Sequence, residues 1–382
     1  MTISTRATIL LTFAAFGAIV GSNVGAFPVI VKNSGLSLAL FGLVGGIGML
    51  SNIMMMSLGG VINRYADHRT VLLLILPLSF VVLCFAQLAY SPASYIVAAI
   101  LISCALGTMD LFMNAEGAAV EQETGRPIFS AYHGAASLSL AVFAIISSMV
   151  SVWLAPWFVV LFTAVPVLVA MAAIYKSIPH RGVVRHHEHK TPVVLPYRLL
   201  TFVGLAAGFS VTSEVACVQW AGQLLTSIAP EWAAYSGLGL AFYGLCSGTM
   251  RMFGDRLRAH FGDKRVMLTC LSIGILGFAV LALEPGFTFS VIAFAAVGVG
   301  LAVVFPCMFS LAAKLAPEGR AAAMSYAILV GGAPRVILPW VLGWLAQTYS
   351  LGAVFAATAM VSTTAMIIII ATYAQAEAAL KE

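Results

Sequence analysis

The sequence predicts an all-α membrane protein of twelve transmembrane helices, arranged as two six-helix bundles related by a parallel repeat. Three observations predict it. Apolar residues make up 61% of the 382 and charged residues only 9%, with a mean hydropathy of +1.03, whereas a soluble domain carries about 25% charged residues. Apolar runs of ~20 residues or more recur from end to end, each long enough at 1.5 Å per residue to cross the ~30 Å hydrocarbon core of a bilayer. Finally, the phrase NRYADHRTVL at 63–72 returns as AHFGDKRVML at 259–268, with Asp67 over Asp263, His68 over Lys264 and Arg69 over Arg265.

The spans follow in order. Ala7–Val31 is too long for a cleaved signal peptide and lacks a small-residue cleavage site, so it is span 1. Leu38–Ile62 contains the small-residue run Gly42 to Gly48, which favours close helix packing. Thr70–Tyr90 follows the first charged phrase, Tyr95–Val120 carries Asp110, Asn114 and Glu116, and Ile128–Trp153 and Trp157–Ile178 complete the first half. A polar stretch, 179–197, separates this half (1–178) from the second (198–382). There, Leu199–Leu225 carries Glu214 and Ala233–Phe253 leads to the second phrase; Val266–Leu283 follows it. Thr288–Leu315 is interrupted at Phe305-Pro306, Ala321–Leu345 holds Gly331-Gly-Ala-Pro334 before Arg335, and Leu351–Tyr373 is last; the prolines are expected to weaken the helix locally. Helix is required because backbone amides in lipid are satisfied only within a segment or a closed barrel, and barrel alternation is absent.

Charge sets the orientation. Arg6, Arg64, Arg69, Arg126, the cluster Lys176, Arg181, Arg185, Lys190 and Arg198, the group Arg251 to Arg265, Lys314, Arg320 and Lys381 fall on the side of the termini. Opposite them stands Lys32, so both termini are expected in the cytoplasm, with the protein in the inner (cytoplasmic) membrane. The net charge of +5 thus reports topology, and no nucleic-acid partner is implied. The six cysteines lie inside predicted spans without CxxC spacing, which points to neither a disulfide framework nor a metal site. Four linker histidines, His180, His186, His187 and His189, read as a solvated loop ahead of a metal tract.

The two phrases occupy equivalent loops, after spans 2 and 8, as a parallel internal repeat requires. The first, with Gly60, Asn63, Arg64, Asp67 and Arg69, resembles the loop 2–3 signature of the major facilitator superfamily. That resemblance implies that the loops dock the two halves on the cytoplasmic side. The family's acidic position falls on Asn63 in one copy and Ala259 in the other; Asp255, one turn earlier, is the candidate to stand in, beside Gly262, Asp263, Lys264 and Arg265. The stretch MNAEGAAVEQETGRPIFSAYHG, 113–134, resembles a bacterial subgroup related to sugar and fucose-type permeases. The usual span 4 arginine is missing near Met113. Where fucose-type relatives carry a second acidic residue on span 1, this chain has Asn23.

Ionisable groups inside spans cost at least ~2.5–3.5 kcal/mol each and therefore face a cavity or a partner. Asp110, Glu116, His133, Glu214 and Arg335 qualify, whereas Lys314, Glu121 and Glu123 lie near span ends. Asp110 and Asn114, four apart, share a face, with Glu116 on another; they line a cavity or hold the bundle together. Glu116 and His133 lie at equal depth, which allows a proton-responsive pair or leaves His133 a structural hydrogen bond. Glu214 and Arg335 also match in depth: they pair, or Arg335 is the counter-ion of an anionic substrate. Gln219 and Trp220 add polar and aromatic contacts near Glu214, unless Trp220 is an interface anchor.

No GxSxG, Walker loop or HExxH pattern suggests an enzyme, and no cofactor or ATP is implied. A receptor would bring a soluble domain, and a drug exporter would not need five charges within the spans. The expectation is a monomeric secondary transporter, a proton symporter of a small polar or charged solute. Its cavity is expected between the halves, lined by spans 1, 4, 7 and 10 with 5 and 11 contributing if the family arrangement holds.

Overall fold

The structure, a computed structural model, describes residues 4–124, 129–179, 195–316 and 318–379. Arg126 and most of the predicted linker, with its four histidines, lie outside the described residues. The first half contains α1 (Thr5–Gly25), α2 (Phe27–Ser34), α3 (Leu38–Ser57), α4 (Gly59–Ile62), α5 (His68–Gln87), α6 (Pro92–Thr124), α7 (Phe129–Trp153) and α8 (Val159–Ser177). The second contains α9 (Tyr197–Ile228), α10 (Gly237–Phe261), α11 (Asp263–Ala282), α12 (Phe287–Leu301), α13 (Val304–Leu315), α14 (Arg320–Thr348) and α15 (Leu351–Ala379). Among the described residues, eleven segments are long and apolar enough to cross a membrane. Predicted span 8 is the exception: α10 has the length but carries Arg251, Asp255, Arg256 and Arg258 in its second half.

The repeat is written in glycine. In the first half α1 packs on α7, and in the second α9 packs on α14, so the first and fifth spans of each half pair alike. Gly17, Gly21 and Gly25 leave no room for a Cβ against the backbone of Ala136, Leu140 and Ala144, and Gly204 and Gly208 do the same against Ala327 and Gly331. Small residues four apart let two backbones approach, gaining dispersion contacts that lipid cannot match.

Contact between the halves gathers on the face opposite the termini, the far face. α3 meets α14 there, where a Cβ on Gly42 would lie 2.5 Å from the Gly343 Cα, and the Leu38 amide donates to Gln347 Oε1 at 2.9 Å. α7 meets α10 similarly: Ser148 Oγ donates to the Ala234 carbonyl at 2.9 Å and accepts from the Gly237 amide at 3.1 Å. Phe41, edge-on to both Phe27 and Trp220 at 5.2 Å, plugs the centre. Trp220 is fully buried in this plug, so it is no interface anchor.

Proline acts where neighbours permit. The predicted interruption of span 10 occurs, between Leu301 and Val304. Around Pro334 and Pro339, by contrast, α14 runs on without a break; Pro334 Cγ and Gly331 are held tightly against Gly208 of α9, and that packing keeps the helix in line.

Candidate functional site

Pro306 explains a charge cluster at the centre of the molecule. The amide of residue 306 would normally bond the carbonyl of residue 302, and proline has no amide, so the Ala302 carbonyl loses its helical donor. Arg251 replaces it, donating from Nε at 3.3 Å, while its Nη2 donates to Glu214 Oε1 at 3.0 Å. One guanidinium therefore joins α10, the break after α12, and α9.

This cluster stands where two chambers of a central cavity meet, with Val211, Glu214 and Arg251 forming walls of both. The chamber on the side of the termini, ≈ 520 Å³, is also lined by Asp110, His133, Arg258, Phe305, Phe309 and Arg335. The far chamber, ≈ 340 Å³, is lined by Asn23, Phe27, Phe41, Tyr95, Gln219 and Tyr243. Both volumes suit a small solute, since ligand pockets run ~300–1,000 Å³. The walls include the spans expected from the family arrangement and also predicted spans 2 and 8, through Met56 and Arg251.

Each predicted residue has a place. Asp110 of α6 faces the cavity and accepts from Asn114 Nδ2 at 2.8 Å; Asn114 also donates to the Asp110 carbonyl at 2.7 Å, so it orients the carboxylate from within the same helix. Arg335 of α14 faces the same chamber, with Asp110 and Glu214 in electrostatic reach. Among the described residues its guanidinium forms no ion pair, and its buried Nε has no hydrogen-bond partner. Asn23 lines the far chamber, and Gln219 does too while donating to the Phe41 carbonyl at 3.0 Å.

Two expected pairings are replaced. Glu214 pairs with Arg251 instead of Arg335, because α10 continues to Phe261 and Arg251 lies ten residues, ~15 Å, inside its end. Hydropathy alone ends that span at Phe253 and groups Arg251 with the loop cations. Its signal was the spacing of Arg251, Gly254 and Arg258, one helical face and all cavity-lining. Glu116, wholly buried, pairs with His68 of the first charged phrase at 3.1 Å. It lies six residues from Asp110, hence on another face of α6, under α5. His133 faces the cavity, edge-on to Phe13 at 5.1 Å.

The duplicated phrases make their described contacts within their own halves. Gly60 is part of α4; Asn63 Nδ2 lies 3.4 Å from His68 Nε2; and Arg64 is exposed. Asp67 caps α5 by accepting from the Thr70 amide at 3.0 Å. Arg69 donates to the Tyr175 carbonyl at 2.7 Å and stacks over its ring, tying α5 to α8. In the second copy Gly262 ends α10 at φ +85°, a left-handed turn that favours glycine. Asp263 accepts from Arg258 at 2.9 Å and Lys314 at 3.1 Å. Lys264 lies over Tyr373 of α15, and Arg265 is exposed. The side chain of Asp255 lies outside the described residues. The docking between halves implied by the resemblance is thus not what these contacts do in this conformation.

Residues 215–381 match the family model of the Major Facilitator Superfamily. The chain is similar to an uncharacterized MFS-type transporter of Yersinia pestis, 27% identical over 86% of this chain and 84% of that one. In fold it is similar to the nucleoside transporter NupG, with a TM-score of 0.76 at 14% identity, covering 97% of this chain and 99% of that one. The human organic anion transporter MFSD10 aligns with a TM-score of 0.64 at 14% identity over 95% of this chain and 99% of that one. Together with the membrane-crossing helices and the central cavity, these matches give the chain's kind: it is a multi-pass membrane protein with the major facilitator fold, similar to transporters of that superfamily, whose family model matches its second half.

Proposed function

We propose that the chain is a secondary active transporter that moves a small polar or charged solute by alternating access, as a proton symporter. It works as a monomer in the inner membrane with both termini in the cytoplasm, its halves connected in sequence by the 179–197 linker. One observation carries the reading: Asp110 from the first half and Arg335 from the second face a single chamber, neither joined to an opposite charge by direct contact. Charges in a span are retained where they meet a cavity or a partner. A carboxylate that can be neutralised opposite a cation on the other half gives proton binding and closure of the halves a common site.

Asp110 and Glu214, rather than Glu116, are the coupling carboxylates in this reading, since Glu116 is sealed beneath His68. The test begins with purified protein and a ligand panel read by thermal shift, and the best ligand is then followed into proteoliposomes. Asp110→Asn should abolish accumulation driven by a pH gradient while sparing exchange of the solute across the membrane. Full gradient-driven accumulation in that variant would remove α6 from coupling, and no movement of a bound ligand in the wild type would remove transport itself.

A further inference from the structure

We infer that the far chamber is the solute site, and that its solute is an uncharged, flat ring compound whose hydrogen-bonding groups meet Asn23 and Tyr95, the specificity-determining residues. The inference rests on the transporter reading above: it leaves coupling to Asp110 in the other chamber and narrows the solute to a chemical class.

The two chambers differ in charge. Asp110, His133, Arg258 and Arg335 line the chamber on the side of the termini and not the far one. The charged residues lining the far chamber are Glu214 and Arg251, and these answer each other at 3.0 Å. An anion or a cation entering there would find no free counter-charge in a low-dielectric site, where an unpaired charge costs far more than one hydrogen bond returns. Charged solutes are therefore excluded from the far chamber, and uncharged ones are not.

Unused hydrogen-bonding groups and aromatic faces give the class. Among the described residues the Asn23 amide and the hydroxyls of Tyr95 and Ser103 have no hydrogen-bond partner, and all three residues line the far chamber; Tyr95 is only 6% exposed. Buried polar groups are costly unless satisfied, so these describe the polar edge of what enters. Around them the wall is apolar, with Phe27 edge-on to Phe41 at 5.2 Å and Tyr95 tilted against Phe41 at 6.1 Å. Water would answer the amide and the hydroxyls but gains nothing from the rings, whereas a flat ring with a polar edge answers both.

One run of α9 sets the size. Glu214, with Arg251, stands at the floor of the far chamber, and Gln219, bound to the Phe41 carbonyl at 3.0 Å, stands at its roof. Five residues separate them, ~7.5 Å along the helix, the span of one substituted six-membered ring. Phe27 and Tyr95 both touch Phe41, and Asn23 precedes Phe27 by about one turn, so ring contacts and hydrogen bonds gather at the roof of a single chamber.

Compounds of like shape and different charge test the class: benzamide, benzoate and benzamidinium, and uracil against orotate, each read by thermal unfolding of the purified full chain. Titrated to about 100-fold over Kd, benzamide or uracil should raise Tm by on the order of 5 °C, and its charged counterparts should not. Tyr95→Phe and Asn23→Ala should each weaken that compound's binding roughly 2- to 12-fold, the worth of one hydrogen bond, with the ligand-free Tm of Tyr95→Phe equal to that of wild type. Ser103→Cys should be labelled by N-ethylmaleimide more slowly once the compound is bound, measured against the wild-type background, which locates it in the far chamber. The inference is overturned if a charged compound stabilises as much as its neutral counterpart, if neither neutral compound stabilises, if Tyr95→Phe and Asn23→Ala both bind like wild type, or if the bound compound leaves the labelling of Ser103→Cys unchanged. Its failure is distinct from that of the transporter reading: gradient-driven uptake of an anion would sink the substrate class alone, and binding of the neutral ring without its passage into proteoliposomes would sink transport alone.

Discussion

Arg251 and Arg335 are both arginines of one cavity, yet their removal should have opposite consequences. Arg251 has two fixed partners, so Glu214→Gln leaves its charge unmatched. The pair is 27% and 22% exposed, between a surface bridge worth ~0–1 kcal/mol and a buried one whose rupture costs ~3–5 kcal/mol, so a loss of about 1–3 kcal/mol is expected. Arg251→Met should cost more than Glu214→Gln, because it also strands the Ala302 carbonyl, and the double variant should cost less than the sum. Arg335→Gln should leave thermal stability within about 0.5 kcal/mol of wild type, having no ion pair to lose. A thermal double-mutant cycle without ligand checks all three; additivity of the Glu214 and Arg251 variants would refute the pairing. The sequence placed Asp110, Glu214 and Arg335 in spans because charge there is rare, but their partners depend on which helices meet. Depth along each helix could not decide that.

At the level of helices, α3 and α14 touch through glycines with no side chain between them, and this contact seals the far face. Gly42→Leu should wedge them apart. Overpacking costs ~1–3 kcal/mol, and a change of about 1.4 kcal/mol is tenfold in an equilibrium, so the population open at the far face should rise roughly 5- to 150-fold. A cysteine placed at Val44, buried in the wall of the far chamber, should then react correspondingly faster with a membrane-impermeant maleimide; an unchanged rate would mean the seal lies elsewhere. Element order and most span limits were legible from apolar run length. The end of α10 was not, because a helix lining a wet cavity carries charge where a lipid-facing helix cannot, and the same Arg251 reads as a loop cation in hydropathy alone. The continuity of α14 through Pro334 was hidden too, since only the glycine of a neighbouring helix shows what holds it straight.

Across the whole molecule, the repeat and the distribution of Lys and Arg yield one topological expectation. An alkaline phosphatase fused after Glu382 should be inactive and one inserted after Gly35, beside Lys32, should be active, with a cytoplasmic reporter giving the inverse. The reverse pattern would invert the transporter in its membrane. The duplicated phrase announced the repeat from sequence because both copies must start a helix after a turn: Asp67 caps α5 and Asp263 opens α11. What the copies bind could not be read from the phrase, since Arg69 and Lys264 find tyrosines on helices remote in sequence.

The amide that Pro306 lacks also imposes an order on the birth of the protein. A segment carrying an unanswered carbonyl enters lipid at a cost, and no rearrangement of its own backbone can supply the missing donor. Arg251 is synthesised 51 residues before Ala302, so during synthesis from the N-terminus the donor is already in place when the acceptor emerges. A permuted chain beginning within the α11–α12 connection would present the carbonyl first. It should integrate that segment less efficiently than the natural order does, even though the finished contacts would be the same.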